Sequence, residues 1–98
     1  MAKDFLSDVD FKDNLVTLTS TDAGSSAGPI LELYRNSSSP ADADYIGQIK
    51  FQGRHDGGAK ALYAKITGKI GDASDGSEDG IIEIAHQKAG SNNISARF

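Results

Sequence analysis

The sequence contains no cysteine and no tryptophan, a single methionine and two prolines. Without cysteine there can be no disulfide, no thiolate metal ligand and no cysteine nucleophile. Long apolar runs are missing as well. Nothing approaches the roughly 20 apolar residues that a membrane helix needs, so membrane insertion is not expected. Met1 to Asp10 carries acids and lacks an apolar stretch of signal-peptide length. A chain made and held in the cytoplasm until assembly fits that pattern. Basic charge is scarce too. The net charge is −4 and is spread along the chain, so phosphate backbones repel it and nucleic acid is not an expected partner.

The apolar material that is present is thin. Ile, Leu, Val and Phe make up about a fifth of the chain, close to the boundary where order itself becomes costly. A chain of 98 residues is one domain by size, and a domain this small buries a modest share of its surface. Small domains compensate with disulfides, metals or oligomerisation. Here disulfides are excluded and no metal site or cofactor motif is evident, which leaves oligomerisation.

Helical periodicity is weak throughout, and period-two alternation is the stronger signal. Residues 1–28 stand apart. Phe5, Val9 and Phe11 alternate loosely, and Leu15 to Thr19 reads as a short strand. Ser20 to Gly28 is Ser, Thr, Ala and Gly around a single acid, an extended linker. Residues 1–28 are therefore expected to form an N-terminal attachment arm, and residues 29–98 a β-domain. In the latter, strands are predicted at Ile30–Tyr34, Tyr45–Gly53, Leu62–Ile70, Ile81–Gln87 and Ile94–Phe98. The clearest is Leu62–Ile70, where Leu62, Ala64, Ile66, Gly68 and Ile70 alternate with Tyr63, Lys65, Thr67 and Lys69 over roughly 30 Å. Gly68 leaves a gap on the apolar side. Asp56-Gly57 is expected to supply the positive φ of a tight hairpin. Ile94, Ala96 and Phe98 are expected on one face.

The predicted fold class is all-β, an antiparallel meander with one apolar and one polar face and no helix to cover the apolar one. Such a face must fold onto itself or meet another copy. A single column of aliphatics with small residues between them suits three sheets about a common axis, intertwined or side by side, with a small closed sandwich as the alternative. The expected core or trimer-interface residues are Leu33, Ile49, Phe51, Ile66, Ile70, Ile82 and Ile84.

Several segments, in order, resemble tail-fibre proteins of phages that infect marine bacteria. They are Leu31 to Asp42, Ile46 to Gly53, Leu62 to Ile70 and Asp75 to Gly80. Each segment alone is a generic strand or turn; the ordered set carries the resemblance, over about residues 29–98. It implies a virion structural role in the tail, a homotrimer, other tail proteins as partners and no catalysis. Such fibres are usually longer, and the resemblance does not extend to a receptor-binding tip. The rival readings are a module that binds a host surface glycan or receptor, and a capsid spike or decoration protein.

Catalytic patterns fail on context. Gly24-Ser25-Ser26-Ala27-Gly28 has the G-x-S-x-G spacing, but a nucleophile elbow needs a strand before it and a helix after it, and Pro29 follows. Asp72, Asp75, Glu78 and Asp79 share a loop without the spacing of an EF-hand, and read as a solvated turn, as do Asp42 and Asp44. A glycosidase would need paired acids in a cleft, which nothing predicts. His55 belongs to a turn. His86 falls on the face of Ile82 and Ile84, near the axis of a trimer, and reads as a hydrogen-bonded histidine rather than a zinc ligand. Asn36-Ser37-Ser38 and Asn93-Ile94-Ser95 match the glycosylation pattern, which has no meaning without secretion. Tyr34, Tyr45 and Tyr63 are scattered, and cross-strand packing explains Tyr63 better than a sugar platform. No enzyme is expected.

Overall fold

A computed structural model describes residues 8–98. The expectation that involves Phe5 lies outside the described residues. The chain divides into a leading unit that ends at Glu32 and a second unit, Leu33–Phe98.

The leading unit contains no helix or strand among its described residues. Its order is local. Asp10 Oδ1 accepts from the Lys12 amide at 2.8 Å, and Asp22 Oδ1 accepts from the Gly24 amide at 2.9 Å. The strand expected at Leu15–Thr19 does not form. An isolated β-run leaves its amides and carbonyls to water, and among the described residues no second segment pairs with this one. Gly24 to Gly28 likewise lies in irregular backbone, without the strand and helix of an elbow.

The second unit is one four-stranded antiparallel sheet in the order β1-β2-β3-β4. Its strands are β1 Tyr45–Arg54, β2 Lys60–Asp72, β3 Asp79–Lys88 and β4 Ser91–Arg97. The predicted meander is thus present from Tyr45 onward. The strand expected at Ile30–Tyr34 is absent; that segment is irregular. Nor does the sheet close into a sandwich, since β1 and β4 are its two free edges.

The turns follow their residues. Ala89 and Gly90 join β3 to β4 with φ of 49° and 82°, the two positive values that a two-residue hairpin of matching twist requires. At the β1–β2 turn the positive φ belongs to Gly58, at 93°, and not to the Asp56-Gly57 pair expected from the sequence. The reason is local: His55 Nδ1 accepts from the Gly57 amide at 2.9 Å, and the backbone reverses one residue later.

Four register shifts interrupt the ladders. Tyr63 and Gly71 are extra in β2. Beyond Tyr63, Leu62 pairs with Gln52 and leaves the face of Ala64, contrary to the unbroken alternation expected. The other two lie in β1 and β4. In the β1–β2 ladder Tyr45 pairs with Lys69 and Gly47 with Gly68, so Ile46 is extra. In the β3–β4 ladder Ala96 pairs with Ile84 and Ile94 with Ala85, so Ser95 is extra. An unpaired residue shifts the alternation by one and sends what lies beyond it to the other side. Ile94 therefore lies opposite to Ala96, contrary to the single face expected for Ile94, Ala96 and Phe98.

Candidate functional site

The apolar face is assembled by register. Ile49 pairs with Ile66 and Phe51 with Ala64. Ile66 pairs with Ile84, Gly68 with Ile82 and Ile70 with Gly80. Leu33 precedes β1 and lies over Gly47, where a Cβ would stand 3.0 Å from that of Leu33 and would press it outward. The seven residues singled out in the sequence thus lie on or over one side of the sheet. Within the single chain they form no interior. Leu33, Ile49, Phe51, Ile66, Ile82 and Ile84 are all exposed, and Ile70 is half-buried. Above Gly68 the space is open, with no atom within 4 Å of a would-be Cβ.

The opposite side, expected to be the solvated one, holds the most buried residues. Thr67 is 2 % exposed, Glu83 4 % and Ala85 4 %; Ala85 is the whole buried hydrophobic set among the described residues. Side-chain length accounts for the inversion. Lysine and arginine stems lie along a sheet and shield what is beneath them. Isoleucines separated by glycines cannot shield one another.

Glu83 is the centre of this polar side. Its Oε2 accepts from Arg97 through Nη2 at 2.6 Å and Nε at 2.8 Å, with Lys69 Nζ at 3.8 Å. The bulge at Ile46 turns Tyr45 to this side, and Lys69 Nζ lies 4.4 Å from its ring centroid. A cation held between a carboxylate and an aromatic face is doubly satisfied. Beside this cluster is a cavity of about 240 Å³ lined by Tyr45, Lys65, Thr67, Glu83, Ala85, Asn92, Asn93 and Ile94. Alternation already placed Glu83, Lys69 and Thr67 together, but it could not reveal that Tyr45 and Arg97 cover them.

Three of the remaining acids hold backbone amides. Asp42 Oδ1 accepts from the Ala73 amide at 2.9 Å, and Asp44 Oδ2 from the Ala41 amide at 3.0 Å. Asp72 Oδ1 accepts from the Ser74 amide at 2.9 Å, and this backbone bond, followed by the Ser74 hydroxyl, holds the Asp72 carboxyl below the usual aspartate range. His86 is exposed, and its Nδ1 meets Ser95 Oγ, the bulged residue. Among the described residues no three His, Asp or Glu gather as metal ligands.

Compared with family models, curated proteins and solved structures, the chain matches none.

Proposed function

We propose that this chain is a non-enzymatic structural segment of a phage tail fibre, in which three copies turn their isoleucine faces to a common axis. The observation that carries the reading is the bare face of Ile49, Phe51, Ile66, Ile82 and Ile84 on a sheet whose only buried hydrophobic residue, among those described, is Ala85. A domain needs about 5–15 kcal/mol of net stability, and a one-layer sheet with its apolar side in water has little to supply it. Fully burying one isoleucine contributes roughly 1.5–3 kcal/mol, so covering this face supplies what the single chain lacks. The ordered resemblance to tail-fibre segments points to the same architecture. On this reading the partners are sister chains and neighbouring tail proteins, and the place is the virion tail.

Sedimentation equilibrium with circular dichroism across a concentration series tests it. The expected result is a trimer whose β-signal is lost on dilution. A monodisperse monomer that melts cooperatively overturns it.

A further inference from the structure

The polar side of the sheet carries a charge arrangement that self-association on the other side leaves unexplained. Lys50 and Lys65 stand directly opposite each other in the β1–β2 ladder. Like charges in that relation destabilise a sheet. Neither has an ion-pair or hydrogen-bond partner among the described residues, while Lys69 and Arg97 are both taken up by Glu83. So this face gathers Lys50, Lys65, Lys69 and Arg97 around one acid, on a chain whose net charge is −4.

Lys65 is half-buried and lines the 240 Å³ cavity with Asn92 and Thr67, whereas Asn93 pairs with His86 and gives its side-chain amide to the Ser91 carbonyl. The Lys65 ammonium group has only donors, and the Asn92 amide adds two more. The cavity's one charged acceptor, Glu83, has its Oε2 engaged by Arg97 and Lys69. A broader depression of about 510 Å³, also lined by Tyr45, includes Lys50, Gln48 and Arg35.

The geometry points to an oxyanion-binding site in the cavity beside Lys65, with Lys65 as the charged contact and Asn92 as a neutral donor. A carboxylate or phosphate there makes charge-assisted hydrogen bonds and relieves the Lys50–Lys65 repulsion. The cavity is smaller than the roughly 300–1,000 Å³ of drug-sized sites, so the ligand is a small anion or one acidic sugar unit. The site lies on the side opposite to the isoleucine face and does not depend on the assembly proposed there.

The test is a titration of the ¹⁵N-labelled full chain with inorganic phosphate, acetate or glucuronate, with sodium chloride holding ionic strength constant. Saturable shifts at Lys65, Thr67, Ala85 and Asn92 are expected. Tighter binding of phosphate identifies a free oxyanion; tighter binding of glucuronate identifies an acidic sugar. Lys65→Gln should weaken binding by about tenfold or more, and Lys65→Arg, which keeps the charge, should retain it. Asn92→Ala, which leaves all charges in place, should weaken it less. Lys50→Glu should supply Lys65 with a cross-strand partner, raise the melting temperature and abolish binding together. Shifts that chloride reproduces, or binding undiminished in Lys65→Gln or Lys50→Glu, would overturn the assignment.

Discussion

Ile66 and Ile84 are direct cross-strand partners at the middle of the sheet, and both remain more than a third exposed, at 39 % and 37 %. In an ordinary β-domain the central pair is where burial is greatest. Here it is left facing water. Ile66→Asp tests whether a sister sheet covers it. In an isolated chain the new carboxylate stays in water and costs little; between sister sheets it is buried without a partner. The expected outcome is loss of the oligomer in sedimentation, with the β-signal lost at concentrations where the parent is folded. Gly68→Val is a milder companion, because the strand itself has room for the side chain. Weakened assembly in that variant means that a neighbouring copy occupies the space; an unchanged oligomer places the contact elsewhere.

Two ion pairs of similar description should behave very differently. Lys12 and Asp10 meet at 3.2 Å with both side chains mostly in solvent, where water and salt screen the attraction and an ion pair contributes little. Glu83 is buried and Arg97 gives it two hydrogen bonds on one oxygen. Removing one partner of a buried pair costs roughly 3–5 kcal/mol, and the half-exposed Arg97 argues for the lower part of that range or less. Arg97→Ala is therefore expected to lower the denaturation midpoint clearly, by urea titration at fixed protein concentration, whereas Lys12→Ala leaves it unchanged. Equal effects would mean that Glu83 is solvated in solution.

Much of the sheet was legible because its signals are short-range. Residues 64–70 alternate as their sequence does, Ala89-Gly90 and the Asp-rich loop punctuate the chain, and the ladder from Tyr45 follows them, although the bulge at Tyr63 breaks the pattern before Ala64. The two strands predicted in error, at Leu15–Thr19 and Ile30–Tyr34, have respectable local composition. What they lack is a partner strand, a non-local property that alternation does not encode. The side on which burial falls was misjudged for a related reason. Alternation separates Ile66 from Thr67, but which of them water reaches depends on what crosses above. That is decided by Tyr45 just before one bulge, by Arg97 two residues after another, and by the glycines at positions 47 and 68.

The acid-sensitive element of the sheet is the turn after β2. Asp72 is held below the usual aspartate range chiefly by the Ser74 amide. A folded value lower than the unfolded one adds stability that is complete above the unfolded pKa and lost as pH falls through the depressed folded value. Stability from this group is thus flat from neutral to mildly acidic pH and declines only in strong acid. A carboxyl titration by NMR should find the Asp72 midpoint below that of a free aspartate. Ser74→Pro removes the amide hydrogen and should return the midpoint to the ordinary range. Ser74→Ala keeps the amide and should leave most of the depression. If both variants titrate like the parent, some group other than Ser74 holds the carboxyl.

Ala89 occupies the first central position of the β3–β4 hairpin at φ 49°, where a Cβ crowds the following carbonyl. A non-glycine residue in the left-handed region costs about 1–2 kcal/mol, less for asparagine, whose side chain bonds locally. Asn-Gly is the preferred pair for a hairpin turn with two positive φ values. Ala89→Asn should therefore stabilise the sheet by roughly 0.5–1 kcal/mol, seen as a higher urea midpoint at constant slope. Ala89→Val, β-branched at the same φ, should shift the midpoint the other way. The turn lies at the end of β3 and β4, away from Ile66 and Gly68, so neither change should alter the oligomer's mass. Opposite shifts from Asn and Val with an unchanged assembly would separate the stability of one hairpin from that of the packed faces. A neutral Ala89→Asn would mean that the hairpin reverses by another turn in solution.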